Sequence, residues 1–340
     1  MKSLDTYWYK PTPLSWLFLL LLLPLSWLYC AVSSIRRKLY LSGVLQSVKA
    51  DVPVVVIGNI VAGGSGKTPL LIALCEYVKK NGFKPGVVSR GYGGSYTGVK
   101  QLSDSDTAAL VGDEPLMIYR RTGVPVVVSS DRASAVARLL ADNDCDIVFS
   151  DDGMQHYHMS RDMEIAVVDA GRRFGNGLCL PAGPLRERVR RLDDVDLVVY
   201  NGGSDNLPSY TLQALKLYKV GGDAVVSLSD FKAALEPSKK LHAVAGIGNP
   251  SRFFNQLRSS GLAIIEHDFS DHHHYQKSDF EAWSQDCIVM TEKDAVKCDQ
   301  LALTDAWYLE VEAAFSKTLE TELASRLLPL LELSGCPEKE

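Results

Sequence analysis

The sequence predicts an α/β protein: a parallel sheet with helices on both faces, a smaller α/β unit after it, and one apolar helix in front. Three observations carry this. From Val54 onward, short apolar runs rich in β-branched residues alternate with segments of helical spacing. Between the run Val54-Val55-Val56-Ile57 and a segment with Leu70, Leu71, Ala73, Leu74 and Val78 at helical spacing lies the turn Gly63-Gly64-Ser65-Gly66-Lys67-Thr68. An uncharged stretch, Leu14 to Val32, stands apart from a chain whose hydrophobic and charged fractions, 46% and 23%, are those of a globular protein.

The uncharged stretch comes first. About 20 apolar residues span a bilayer core, so this segment is near the lower limit for one transmembrane helix. Trp8, Tyr9, Trp27 and Tyr29 lie toward its ends, where aromatic rings favour the interface. Arg36, Arg37 and Lys38 follow it, against Lys2 and Lys10 ahead, which places the bulk of the chain in the cytoplasm. Pro24 leaves a second arrangement open, a helix lying in one leaflet. Ser34 to Ser47 reads as a basic amphipathic helix next to the membrane, closing an N-terminal region of residues 1–48.

Beyond it, strand, glycine turn, Lys-Thr and helix form the phosphate cradle of P-loop proteins, so the first unit, residues 49–205, is expected to be P-loop NTPase-like. Glycines let backbone N–H groups face phosphate oxygens, and the helix N-terminus adds its positive end. Lys67 then reaches the β- and γ-phosphates, and the Thr68 hydroxyl sits on Mg²⁺. Pro69 suits a first helical turn, where its missing N–H costs little. The usual motif wants glycine at position 61, which here is Val61.

Further strands are expected at Lys84–Ser89, Val124–Ser129, Asp146–Ser150, Glu164–Asp169 and Val195–Tyr200, with a helix over Asp131–Asn143 and a loop or short helix over Ser103–Leu110. Right-handed crossovers bring the strand C-termini, including Arg90-Gly91-Tyr92-Gly93-Gly94, to one ligand-binding edge. Residues 206–236 read as a linker carrying two extended segments. Residues 237–340 read as the smaller unit, with strands at Leu241–Ile247, Leu262–Glu266 and Cys287–Met290 and helices at Ser251–Ser260 and Lys277–Ser284. A last helix, Phe315–Leu333, is expected to close that unit.

Acids at strand ends supply the chemistry. The strand Ile147-Val148-Phe149-Ser150 runs into Asp151, whose carboxylate is placed to hold Mg²⁺, and the doublet Asp151-Asp152 points two ways, implying separate roles. Phosphoryl transfer to an alcohol also needs a group that takes the hydroxyl proton, for which Asp113 leads, with Glu114 a metal or water partner. Asp271-His272-His273-His274 holds three of the seven histidines, yet consecutive residues cannot all face one ion. A single histidine paired with a carboxylate is the alternative. Cations to cover the phosphoryl group come from Arg90, Arg132, Arg172, Arg173, Arg186, Arg188, Arg190 and Arg191.

In this order the motifs resemble those of the tetraacyldisaccharide 4'-kinase family, the lipid A kinases of Gram-negative bacteria. The resemblance rests on Gly58-Asn59 with Gly63 to Pro69, Ser89 to Gly93, Gly112-Asp113-Glu114-Pro115, Asp131-Arg132 and Asp151-Asp152-Gly153-Met154-Gln155-His156. It continues through Gly175-Asn176-Gly177, Pro184-Leu185-Arg186-Glu187, Gly246-Ile247-Gly248-Asn249-Pro250, Asp271-His272-His273 and Thr291-Glu292-Lys293-Asp294-Ala295. It implies ATP- and Mg²⁺-dependent phosphorylation of the 4'-hydroxyl of a membrane-embedded tetraacylated glucosamine disaccharide 1-phosphate. Asp113 is implied as the base, paired with His272, while Lys67, Thr68, Asp151 and Glu114 handle phosphates and metal. Asp152, His156, Arg132, Arg186 and Glu187 match further site positions. Whether His272 or His273 pairs with the base stays open, and Thr291 to Asp294 is a guess for the adenine grip.

The implied partner is a lipid of the inner membrane, met at its cytoplasmic face. The net charge of −5, without a long basic run in the soluble part, disfavours nucleic acid, and no obligate protein partner is inferred. The seven cysteines are scattered without C-x-x-C, which points to a reducing compartment and away from structural zinc. A different class, a membrane-tethered P-loop ATPase or GTPase that moves a partner, has no need of Asp113.

Overall fold

The computed structural model describes residues 4–9 and 12–334. Lys2 and Lys10, which enter the charge balance about the apolar stretch, and Cys336 lie outside the described residues. Helix α1 (Leu4–Tyr9) precedes α2 (Pro13–Leu41), which carries Pro24 inside it and takes in most of the expected membrane-adjacent helix. Within α2, Leu19–Leu41 is long and apolar enough to cross a membrane.

One stripe of α2 docks on the rest of the chain. Leu19, Ser26 and Cys30 are buried, Ser26 Oγ donates to the Cys179 carbonyl at 2.7 Å, and Arg37 pairs with Asp194 at 3.0 Å. Cys30 and Cys179 are joined in a disulfide. This corrects the reading of the cysteines as scattered thiols: partners 149 residues apart leave no local spacing to see. The opposite stripe, with Leu17, Leu20, Leu21, Leu25, Trp27, Leu28 and Val32, faces outward.

The P-loop half follows as β1 (Val54–Gly58), α3 (Lys67–Lys80), β2 (Pro85–Ser89), β3 (Lys100–Gln101), α4 (Ala108–Val111), α5 (Asp113–Thr122), β4 (Val126–Val128), α6 (Arg132–Asp142), β5 (Ile147–Asp151), β6 (Met163–Asp169) and β7 (Leu197–Asn201). Every residue of β1, β2, β5 and β6 is buried, as parallel strands covered on both faces require. Then come β8 (Ser209–Lys219), β9 (Val225–Ser227), α7 (Leu228–Ala234), β10 (Leu241–Ala245), α8 (Pro250–Ser259), β11 (Ile265–Asp268), β12 (Cys287–Thr291), α9 (Glu292–Cys298), β13 (Ala306–Phe315) and α10 (Lys317–Ser334).

One sheet runs through both halves in the order β11-β10-β12-β13-β8-β7-β6-β1-β5-β2-β4-β3, with β9 on β8. The extended segments of residues 206–236 supply the junction: β8 pairs antiparallel with β13 and, through Ser209 and Tyr210, parallel with β7. Parallel pairing of β1 with β5 sets Ile57 opposite Asp151, so the cradle and the acidic strand end share one edge.

Three expectations are corrected. Lys277–Ser284 is two 3-10 turns rather than a helix, because the Asp279 carboxylate folds back on the Gln276 N–H at 2.9 Å and Phe280 is buried between the turns. The strand expected at Leu262–Glu266 begins at Ile265, since Leu262 is buried in the core under α8. Helix α10 does not close the C-terminal unit: Leu319, Leu323, Leu327 and Leu331, one stripe at a spacing of four, pack with Leu70, Leu74 and Phe149 in the core of the P-loop half.

Candidate active site

The cradle is built by its own sequence and held by distant residues. Gly66 sits at φ +92°, and a Cβ there would strike the Asn201 amide and the Tyr210 hydroxyl. Both groups support the loop: Asn201 Nδ2 donates to the Ser65 carbonyl at 2.9 Å and the Tyr210 hydroxyl to the Gly66 carbonyl at 2.6 Å. Asn59 Nδ2 donates to Ser65 Oγ at 3.0 Å. Val61, where glycine is usual, forms an antiparallel bridge with Leu185, flanked by Ala62 N–H to the Pro184 carbonyl and Arg186 N–H to the Ile60 carbonyl, both 2.7 Å. Extended backbone suits valine, so no glycine is required there.

Lys67 and Thr68 open α3, and Pro69 lies in its first turn. Gly63 and Gly64 are exposed at the front of the loop. The other half reaches this point: Arg172 donates to the Gly248 carbonyl at 2.6 Å, and a Cβ on Gly248 would come 2.6 Å from the Gly64 nitrogen.

Asp151 and Asp152 do separate work. Asp151, 2% exposed, accepts from Ser89 Oγ at 3.2 Å through Oδ2, while its buried Oδ1 has no protein partner. Asp152, at φ +49°, turns aside to accept from Arg186 at 2.8 Å, with Lys67 Nζ 3.4 Å away. Burial raises Asp151 to about 7, with the charges of Glu114 and Asp152 adding to it. Burial pushes Asp152 the same way, but Lys67 and Arg186 overcome it and hold the carboxyl below its ordinary range. Two carboxylates on one turn thus lie on opposite sides of their usual value, which marks functional environments.

Arg132 is buried and donates to the carbonyls of Ser129 and Asp151, at 2.7 and 3.1 Å, fixing the strand end. Burial, then Arg132 and Arg90, lower His156 to about 4. Glu187 points into a protein network, accepting from Gln155 Nε2 at 2.8 Å and the Tyr157 hydroxyl at 2.9 Å, with Arg191 at 3.2 Å. Its contacts steady the segment that carries Arg186.

Asp113 begins α5 and is 4% exposed. Its Oδ1 accepts the Glu114 N–H at 2.8 Å and its Oδ2 lies 2.9 Å from His272 Nδ1. The choice between histidines is thereby decided, because His273 instead faces Asp279 at 3.2 Å. Burial raises the Asp113 carboxyl, but the His272 hydrogen bond and the Lys293 charge lower it further, so it stays below the ordinary range. Glu114 behaves alike, burial being offset by Lys293 and Lys67. A cavity of about 270 Å³ opens against Asp113 and His272, lined also by Gly93, Arg120 and Lys297.

A family model described as tetraacyldisaccharide-1-P 4'-kinase matches residues 18–328. The chain belongs to this family. It is 43% identical over 336 residues to the tetraacyldisaccharide 4'-kinase of Methylobacillus flagellatus, covering 97% of each chain. It is 46% identical over 332 residues to that of Hahella chejuensis, covering 95% of this chain and 96% of the other. The crystal structure of LpxK from Aquifex aeolicus in complex with ATP superposes with a TM-score of 0.75 at 25% identity, covering 92% of this chain and 99% of that one.

Several of the cradle's supports are not legible in the sequence. Asn201 and Tyr210 carry no motif. Lys293, in the stretch guessed for the adenine grip, has its ammonium 2.9 Å from Glu114 Oε1, 3.3 Å from Asp271 Oδ1 and 3.9 Å from Asp113 Oδ2. Its neighbour Asp294, buried in the first turn of α9 behind the N-cap Thr291, accepts from Thr291 Oγ1 at 2.6 Å and Gly246 N–H at 2.9 Å. Only the lysine's place at a helix start, next to an acid, hints at a site.

Proposed function

We propose that this kinase transfers the γ-phosphoryl group of ATP to the 4'-hydroxyl of a tetraacylated glucosamine disaccharide 1-phosphate, with Asp113 as base. The observation that supports it is the buried Asp113 carboxylate, kept ionised and oriented by His272 at 2.9 Å, one residue from Glu114 and at the edge that carries the cradle. The hydroxyl proton passes to Asp113 as the oxygen bonds to the γ-phosphorus, and ADP leaves on the far side. Lys67 and Arg186, drawn together by Asp152, cover the charge on the phosphates.

Thr68, Asp151 and Glu114 fit a divalent cation. The fit rests on the unpartnered buried Oδ1 of Asp151 and on the crowding of Asp151, Glu114 and Asp152, whose mutual repulsion a cation relieves. Among the described residues no three His, Cys, Asp or Glu side chains form an ion-holding group by themselves; Mg²⁺ takes one or two carboxylates and completes its shell with waters and substrate phosphates. Bound there, Mg²⁺ would neutralise charge on the phosphate oxygens.

The outward stripe of α2 supports a location at the cytoplasmic face of the inner membrane. The helix is docked from Leu19 to Arg37, so crossing the bilayer would drag its buried partners into lipid. An orientation within one leaflet leaves them in water. This explains access to a four-chain lipid, whose extraction into water would cost about 0.8 kcal/mol per CH₂. Incubating the full chain with labelled ATP and a lipid extract tests the reading. Label must move to lipid, depend on the acceptor, and be lost in Asp113→Ala; phosphate release without labelled lipid would contradict it.

A further inference from the structure

His272 is presented by a loop residue in left-handed backbone, φ +59°, pinned by its own N–H to Asp271 Oδ1 at 3.1 Å. Non-glycine residues hold that conformation only where surroundings over-determine it. Four groups face the ring. Asp113 of α5 meets Nδ1, Tyr92 packs edge-on with ring centres 4.8 Å apart, Asp271 lies 3.7 Å from Nε2, and Lys293 Nζ of α9 lies 3.4 Å from the same Nε2.

An ammonium has three donors and no acceptor. The Lys293 contact therefore needs a lone pair on Nε2, and the ring proton must then sit on Nδ1, where Asp113 accepts it. We infer that Lys293 is a positioning residue that fixes His272 as the Nδ1–H tautomer, so that the imidazole orients Asp113 and does not relay the substrate's proton. Lys293 is well placed for this: its side chain is 14% exposed and anchored between Glu114 of the P-loop half and Asp271 beside the histidine, which hold its ammonium at the ring.

The chemical consequence concerns where the proton goes. With Nδ1 already protonated and Nε2 engaged, His272 has no free site for the proton that Asp113 receives. This inference rests on the proposed role of Asp113 as base, but its test does not.

The full chain labelled with ¹⁵N-histidine, in detergent micelles, gives ring nitrogen shifts, with His272 assigned by difference against His272→Gln. The expected result is one protonated nitrogen, Nδ1, at pH 7 in the unsubstituted protein. A neutral Nε2–H ring or a doubly protonated ring would overturn the inference, even with Asp113→Ala inactive. Lys293→Met is expected to mix the tautomers and lower kcat about 10–100-fold, as loss of an orienting outer partner does, with KM for ATP nearly unchanged and Lys293→Arg recovering most of the loss. A ring spectrum unmoved by Lys293→Met in a folded variant would also overturn it.

Discussion

Tyr210→Phe removes one oxygen atom far in sequence from the cradle and tests whether the loop's shape is imposed from outside. The Tyr210 hydroxyl, in a fully buried side chain, donates to the Gly66 carbonyl at 2.6 Å. Without it that carbonyl loses its strong partner, leaving only the longer Leu70 N–H at 3.5 Å. An acceptor left unsatisfied costs about 1–3 kcal/mol, and the partial exposure of Gly66 argues for the lower half of that range. If the loss falls wholly on the conformation that binds phosphate, ATP affinity drops by about 5–30-fold, at roughly tenfold per 1.4 kcal/mol. Calorimetric titration with ATP alongside thermal unfolding separates the two places where the loss can appear. Unchanged ATP affinity with a lowered melting temperature would show that the hydroxyl serves the β7–β8 junction and not the loop, and the reasoning would fail.

Asp152→Asn keeps a residue tolerant of left-handed backbone but removes the charge that pairs with Lys67 and Arg186, so it should melt below the parent at pH 7, and Asp152→Ala, strained at φ +49°, should melt lower again by about 1 kcal/mol; both should lose phosphoryl transfer, as initial-rate assays would show. Burial lifts Glu292 from 4.5 to about 7, with Arg121 pulling it down and Glu310 raising it again. A carboxyl raised on folding binds its proton more tightly in the native state, so its contribution is present below pH 4.5 and is lost as pH rises to 7. Glu292→Gln should thus gain on the order of 3 kcal/mol over the parent between pH 5 and pH 8, read from unfolding curves at the two values. Leu21→Arg, on the outward stripe of α2, should weaken binding to lipid vesicles at least tenfold with unchanged melting, while Leu19→Arg, on the buried stripe, should lower melting itself.

Much of this molecule is written locally. A run of β-branched residues, a glycine turn and an amphipathic helix specify β1, the cradle and α3 within one stretch, because strand alternation, glycine's freedom and helical period are short-range properties. The acid at the end of β5 was readable for the same reason: parallel topology puts every strand C-terminus on one edge, so Asp151-Asp152 was expected on the edge that carries the cradle. Tertiary structure decided what closes the site. Tyr210 and Asn201 reach the cradle from 144 and 136 residues away, and Lys293 reaches Glu114 across 179. The partner of Asp113 was chosen between adjacent histidines by a backbone twist at His272. Helix α10 carries its leucines to the core of the P-loop half, beside Leu70 and Leu74 of α3, which its own period could not announce. A side chain's type and spacing fix what it can do; which neighbour it does it with depends on how distant segments pack.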